Sequence, residues 1–185
     1  MVLPAELRAV LGFVEGSAVV AHIEGEGRLV IESPEAIQRA LLQEWSGVAE
    51  RSRPVQTGRG GAVLDASALL AWLVQERGAE VVGEYLPRAV ISAVNLAEVL
   101  YRGQSLGRKV ATLPVRLGHL GLRVEPFTTE DALVATEIFA RDRRRVLSLA
   151  DRCCLATAIR LGLPAVTDDR AWSTLELGVE VLAFR

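Results

Sequence analysis

The sequence is poor in several residue types that build common functional sites: it has two cysteines, two histidines and a single lysine, Lys109. The cysteines, Cys153 and Cys154, are adjacent, so they lack the spacing of metal-binding pairs. They are interpreted as small core residues of a protein from a reducing compartment. These features favour a cytoplasmic protein without a thiolate metal centre.

Long apolar runs are also missing, since no stretch reaches the roughly 18 residues of a membrane-spanning helix. The N-terminus has no basic segment followed by an apolar one, so no signal peptide and no membrane partner are expected. A formal net charge of −2 gives no overall attraction to polyanions. A local basic patch such as "RDRRR" at 141–145 could bind one, or could simply be a solvated helix end.

What the sequence does contain is two regions of different pattern, joined by a Gly-, Ser- and Arg-rich linker at 46–61. Before the linker, a helix is predicted in "PAELRAVLGF" and a hairpin in "AVVAHIEGEGRLVIE". The stretch "SPEAIQRALLQEW" predicts a helix with Ser33 as N-cap and Pro34 in its first position. Its residues Ile37, Leu41 and Trp45 form an apolar stripe.

After the linker, short apolar strands alternate with helices, which predicts an α/β fold with a mainly parallel sheet and helices on both faces. Ligands of such sheets bind at the carboxyl ends of the strands. Acidic residues fall at that edge in four segments. Asp65 ends the first strand, Glu98 lies in the first turn of a helix predicted from Asn95, Asp151 begins a later helix, and Asp168 and Asp169 follow "PAVT".

Each acid has an ordinary alternative explanation. "NLAE" and "SLAD" both fit a capping box, in which the acid bonds to the backbone at the helix start. The pair in "TDD" could be a solvated turn, and Asp65 could be a cap, although Ser67 could serve instead. The convergence of all four segments is more specific, because gathered like charges repel unless something neutralises them.

A hard divalent cation is the neutraliser that this composition favours. Lys109 is far from any predicted strand end, and the histidines, His22 and His119, also fall outside the set. Oxygen ligands suit Mg²⁺ or Mn²⁺, and such ions act on phosphate esters. The phosphate-binding motif GxxxxGK[ST] is absent, so hydrolysis of a nucleic-acid phosphodiester is the reaction predicted.

The stretches "AVLDASALLAWL", "ISAVNLAEVLYR", "LSLADRCCLATAIRLGLPAVTDDRAW" and "VEVLAF" resemble PIN-domain ribonucleases, most closely the VapC toxins of bacterial toxin–antitoxin pairs. The resemblance implies a three-layer α/β/α sandwich over residues 62–185 that often dimerises and cuts RNA with Mg²⁺ or Mn²⁺. Carried over by motif, the catalytic and metal-binding acids are Asp65, Glu98, Asp151 and Asp169. Ser67, Thr167 and Asp168 are supporting residues. Candidate RNA-binding residues are Arg102, Arg108, Lys109, Arg116 and Arg170, each of which could equally be an ordinary surface charge.

The stretch "LPAELRAVLGFVEGSAVVAHIEGEGRLVI" resembles the AbrB-type antitoxins, in which two chains interlock into a DNA-binding barrel. It departs from them in lacking the basic strand with which such domains usually begin. In VapC partners, the next segment is a helix and an arm that can insert an arginine among the toxin's acids. The resemblance makes Arg51, Arg53 and Arg59 candidates for this inhibitory role, and a solubilising linker is the alternative.

The sequence therefore predicts an antitoxin–toxin fusion with three segments: an AbrB-like segment at 1–33, an inhibitory helical arm and linker at 34–61, and a PIN ribonuclease at 62–185. RNA, operator DNA and further copies of the chain are the expected partners. A regulatory binding protein with a silent or permanently plugged PIN domain is the alternative. Receiver-like and dehalogenase-like domains fit less well, because the first needs a lysine at a strand end and the second a DxD motif.

Overall fold

The computed structural model describes residues 4–14, 16–47, 60–142, 146–175 and 178–185. Its N-terminal part is a helix, an antiparallel hairpin and a second helix, in the predicted order. These elements are α1 (Ala5–Leu11), β1 (Val20–Glu24), β2 (Arg28–Glu32) and α2 (Pro34–Ser46). Ser33 caps α2 as predicted, because its hydroxyl accepts a hydrogen bond from the Ala36 N–H at 3.2 Å.

The remainder of the described chain contains a five-stranded parallel sheet. Its strands are β3 (Ala62–Leu64), β4 (Ala89–Ser92), β5 (Arg123–Glu125), β6 (Ala165–Thr167) and β7 (Val181–Ala183). They lie in the order β5-β4-β3-β6-β7, and every neighbouring pair is parallel. The chain builds outward from β3 on one side and then crosses to β6 on the other. The space between β3 and β6 is therefore the topological switch point, where such sheets bind ligands.

Helices cover both faces of this sheet. They are α3 (Ala66–Val74), α4 (Ala79–Tyr85), α5 (Ala93–Ser105), α6 (Leu113–His119), α7 (Thr129–Arg141) and α8 (Leu149–Leu161), with short 3₁₀ helices at Leu86–Arg88 and Arg170–Thr174. Ala62 and Leu64 pack into the core that α2 to α6 share, whereas Val63, on the opposite face, packs with α7 and α8. This arrangement confirms the three-layer sandwich.

Helix α2 is part of the main core. Its residues Ile37, Leu41 and Trp45 are almost completely buried and pack with residues of α3, α5 and α6. Trp45 lies so close to Gly103 of α5 that a Cβ placed there would be 2.4 Å from the indole ring. The predicted apolar stripe is confirmed, and its partner is the region 62–185 of the same chain.

The predicted start of α5 is wrong. The helix begins at Ala93 and is capped by Ser92, whose hydroxyl accepts from the Val94 N–H at 3.2 Å. Ser and Asn are both good caps, and Ser92 is the one with extended backbone. Asn95 is therefore inside the helix, and Glu98 is in the second turn. Among the described residues, no helix is both long and apolar enough to span a bilayer.

Candidate functional site

Asp65 lies at the carboxyl end of β3, beside the switch point, and is 6% exposed. It is the N-cap of α3, so the alternative that Ser67 caps this helix is wrong. Its Oδ2 accepts hydrogen bonds from Ser67 Oγ at 2.7 Å and from Thr167 Oγ1 at 3.3 Å. Its Oδ1 accepts from Asn95 Nδ2 at 3.1 Å. The pKa of Asp65 is raised to about 6, mainly by burial and also by the charge of Asp151, against the lowering effect of the Ser67 bonds.

Asp151 lies in the first turn of α8, across from Asp65. It forms the predicted capping box: Asp151 Oδ2 accepts from the Ser148 N–H at 2.7 Å, and Ser148 Oγ accepts from the Asp151 N–H at 3.1 Å. Burial raises the pKa of Asp151, and the negative charges of Glu98 and Asp169 add to the effect. Asp151 is therefore coupled electrostatically to each of the other three predicted acids.

Glu98 lies on α5 and is held by the next turn of its own helix. Its Oε1 accepts from Arg102 Nε at 3.0 Å and from Arg102 Nη2 at 2.9 Å. The capping role that "NLAE" suggested is wrong, because the helix starts earlier. Glu98 instead faces the other acids with a neighbouring guanidinium that offsets part of its charge.

The two aspartates after β6 differ in their surroundings. Asp169 caps the 3₁₀ helix Arg170–Thr174 through its Oδ1, which accepts from the Ala171 N–H at 2.8 Å. Asp168 Oδ2 instead accepts from Arg185 Nη2 at 2.5 Å. The main-chain N–H groups of both aspartates donate to the supporting hydroxyls, Asp168 to Ser67 and Asp169 to Thr167.

Asn95 belongs to the site and was not identified from the sequence. It is fully buried, and its Nδ2 donates both to Asp65 Oδ1 and to the main-chain oxygen of Ala150, each at 3.1 Å. Its Oδ1 is buried and has no hydrogen-bond partner in the described part of the chain. The signal that could have found it was the Asn-x-x-Glu spacing, which places Asn95 one turn before Glu98.

A comparison with protein families matches residues 62–176 to the PIN domain. The chain belongs to the PIN-domain family. A search of curated proteins found no match.

Solved structures with the same fold include several bacterial toxins. A toxin–antitoxin complex from Klebsiella pneumoniae has a TM-score of 0.53 at 17% identity, covering 67% of this chain and 98% of that one. A DNA-bound VapBC from Salmonella typhimurium has 0.52 at 20%, covering 69% and 100%. VapC20 of Mycobacterium tuberculosis, a Sarcin-Ricin loop cleaving toxin, has 0.51 at 22%, covering 61% and 93%. At these identities the likeness establishes the fold.

The PIN-domain acids provide the right donors for a divalent cation, although they are not gathered into a finished site. Within the described residues, no three His, Cys, Asp or Glu side chains already stand where they could hold a metal ion. Asp151, Glu98 and Asp169 are each hydrogen-bonded to a local partner. The all-oxygen donor set and the mutual repulsion at a buried carboxylate fit Mg²⁺ or Mn²⁺. Binding would require these side chains to exchange local hydrogen bonds for metal contacts.

The predicted RNA-binding residues are spread over the PIN domain. Arg102 pairs with Glu98, and Arg170 Nε donates to the main-chain oxygen of Arg185 at 3.0 Å. Arg108 and Arg116 instead contact α2, donating to the main-chain oxygen of Glu44 at 3.1 Å and to its Oε2 at 2.7 Å. Lys109 is exposed on the surface. The arm residues Arg51, Arg53 and Arg59, and residues 143–145 of the basic patch, lie outside the described residues.

Proposed function

We propose that this chain is a metal-dependent endoribonuclease of the VapC type, carrying an antitoxin-like inhibitory segment in the same chain. The observation that carries the proposal is the electrostatic coupling of Asp65, Glu98 and Asp169 to Asp151 at the switch point of a PIN-domain sheet. A bound cation would relieve the repulsion that these carboxylates exert on Asp151.

In the proposed reaction, the residues of the site have three roles: binding the metal, orienting Asp65 and binding RNA. Asp65, Glu98, Asp151 and Asp169 would hold Mg²⁺ or Mn²⁺, which when bound lowers the pKa of a water and neutralises charge on the phosphoryl oxygens. Ser67 and Thr167 keep Asp65 oriented, as their hydrogen bonds to it indicate. Arg102 and Arg170 are the predicted RNA-binding residues beside these acids, and their guanidinium groups suit phosphates.

The proposed segment boundaries at residues 33 and 61 are supported in part by the position of α2. This helix packs on the PIN domain of its own chain and ends at Ser46, just before the arginine-containing stretch. The stretch leaves the domain after Ser46 and returns to it at Ala62, so an arginine near its middle could lie up to about 25 Å away, which allows contact with its own acids or with those of a second copy. Arg51, Arg53 or Arg59 would then occupy the carboxylates as a permanently charged guanidinium.

The N-terminal hairpin is the proposed contact to other copies of the chain and to DNA. Its outer face presents Ala21, Ile23, Leu29 and Ile31, and the Ile23 and Leu29 side chains are largely exposed. None of the residues of α1 is buried. A two-stranded hairpin needs such a face covered to be stable. The DNA-bound VapBC structure is the reason to include operator DNA among the partners.

An RNase assay with Mn²⁺ on the full chain tests the proposal. We expect Asp151→Asn to abolish cleavage, because a neutral amide is a poor ligand for a hard cation. Replacing Arg51, Arg53 and Arg59 together by Ser should raise cleavage, because it removes the guanidinium groups that compete with the metal. Full activity of Asp151→Asn would refute the site.

The alternative, a silent regulatory protein, is favoured by one observation: Asp151, Glu98 and Asp169 already have local partners. Under that alternative, the triple arginine variant would bind no Mn²⁺ and cut no RNA. The same assay therefore separates the two functions.

A further inference from the structure

Asn95 connects three segments that carry acids of the proposed site. Its side chain is 0% exposed and donates to Oδ1 of Asp65, the residue that follows β3. The same amide nitrogen donates to the main-chain oxygen of Ala150, next to Asp151 on α8. Its own helix carries Glu98 one turn later, on the same face.

We infer that Asn95 is a positioning residue that sets the relative placement of Asp65, Glu98 and Asp151 before a cation binds. This inference rests on the proposed function. Ligands that are already held in place lose less conformational freedom when the cation binds. Residues that hydrogen-bond to metal ligands therefore commonly have a strong effect on metal affinity. Asn95 holds Asp65 in place directly, Asp151 through the Ala150 main chain, and Glu98 through its own helix.

The contacts require a side chain with two donors on one atom. Asp65 Oδ1 and the Ala150 oxygen are both acceptors, and the NH₂ of an amide can donate to both at once. A carboxylate at this position would repel Asp65. A leucine has a similar shape but would leave both acceptors without this donor, and serine is too short to reach both. The orientation of the amide follows from the same two acceptors.

A purely structural role makes a different prediction. If Asn95 only tied α5 to α8, its loss would lower stability and leave the affinity for a cation unchanged in the folded protein. If it positions ligands, the affinity falls even where the fold is retained. Metal affinity measured on folded protein is thus the readout that distinguishes the two roles.

The test is isothermal titration of the full chain with Mn²⁺, comparing the unsubstituted protein with Asn95→Leu. We expect the variant to bind Mn²⁺ about tenfold more weakly or worse. Thr157→Val is the matched control. Thr157 is also 0% exposed and lies on α8, but its hydroxyl donates to the Cys153 oxygen within the same helix. Its replacement should leave Mn²⁺ affinity unchanged.

Asn95→Ser provides a second variant in case Asn95→Leu does not fold, and circular dichroism checks the fold of each. Asn95→Ser should also bind Mn²⁺ more weakly, because one hydroxyl cannot serve both acceptors. Folded Asn95 variants with the affinity of the unsubstituted chain would overturn the inference and leave the proposed function standing. An equal loss in Thr157→Val would also overturn it. If neither the unsubstituted chain nor the triple arginine variant bound Mn²⁺, the proposed function would fail, and the inference would fail with it.

Discussion

At the scale of single residues, we expect the protonation state of Asp65 to have a large effect on the stability of the folded chain. Its pKa is about 6 in the folded chain against 3.8 as the ordinary value. The folded state therefore binds this proton more tightly than the unfolded state. Protonation of Asp65 therefore adds about 3 kcal/mol to the free energy of unfolding. This contribution is fully present below pH 3.8 and is lost as the pH rises through about 6.

Asp65→Asn should therefore stabilise the metal-free protein at pH 8, because the amide stays neutral as the protonated acid does. Urea unfolding in the presence of a chelator measures this gain, which we expect to reach about 2–3 kcal/mol and to shrink at pH 5. Added Mn²⁺ should stabilise the unsubstituted chain and leave the variant unchanged. A stability difference between the two proteins that stays the same at pH 5 and pH 8 would show that the buried charge of Asp65 does not cause it.

The adjacent aspartates Asp168 and Asp169 should respond differently to the same substitution. Asp169→Asn should abolish Mn²⁺-dependent RNA cleavage, because the charge of Asp169 acts on Asp151 within the site. Asp168→Asn should retain most activity, because Asp168 is engaged by Arg185. Cleavage rates of the two variants at saturating Mn²⁺ make the comparison. Equal losses would mean that both carboxylates serve the metal.

At the scale of secondary-structure elements, the close packing of α2 on α5 predicts that adding one methyl group at Gly103 lowers the stability of the chain. Gly103→Ala should destabilise the chain by roughly 1–3 kcal/mol, because its Cβ would overlap the Trp45 ring and overpacking costs about this much. Gly118→Ala on α6 is the matched control, since nothing lies within 4 Å of its Cβ position. Thermal unfolding followed by circular dichroism should show a lower Tm for Gly103→Ala and an unchanged or higher Tm for Gly118→Ala. Equal Tm values would contradict the packing.

The same elements show which parts of the structure are encoded locally. The caps at Ser33 and Ser148 could be predicted because a cap depends on residues within one helical turn. The start of α5 could not, since Ser92 and Asn95 are both acceptable caps and tertiary contacts choose between them. The place of Asn95 in the site was not predicted for the same reason, because its partners, Asp65 and Ala150, are 30 and 55 residues away in the sequence.

The acids themselves were predictable as a set, because parallel strands bring their carboxyl ends to one edge of the sheet. The capping-box partner of Asp151, Ser148, was predictable, whereas partners from distant segments depend on side-chain geometry and were not. The contacts of Arg108 and Arg116 with Glu44 are of this kind. The resemblance assigned α2 to an arm that lies on the PIN domain, and its burial against α3, α5 and α6 is compatible with that assignment.

At the scale of the whole molecule, the outer face of the hairpin predicts self-association. Ile23 and Leu29 are 72% and 55% exposed and lie directly opposite each other on the two strands. Replacing them by Glu and Lys keeps a favourable cross-strand pair and removes the apolar surface. Sedimentation velocity should then show a smaller species than the unsubstituted chain forms.

Leu133→Glu on α7 is a suitable control, because Leu133 is similarly exposed at 64% and α7 packs on the opposite face of the sheet from the core that Val20 of the hairpin contacts. It should leave the sedimentation coefficient unchanged. If the hairpin variant sediments like the unsubstituted chain, the copies of this protein do not meet through this face.

The burial of Trp45 beside Gly103 has a consequence for how such a chain could be switched on. A protease that severed the backbone between residues 47 and 60 would yield two fragments that remain a non-covalent pair, since α2 shares its core with α3, α5 and α6. Dissociation of α2 would expose that core and unfold part of the domain. Under the proposed function, activation would therefore displace the arginine-containing stretch without α2, which would stay bound to the PIN domain.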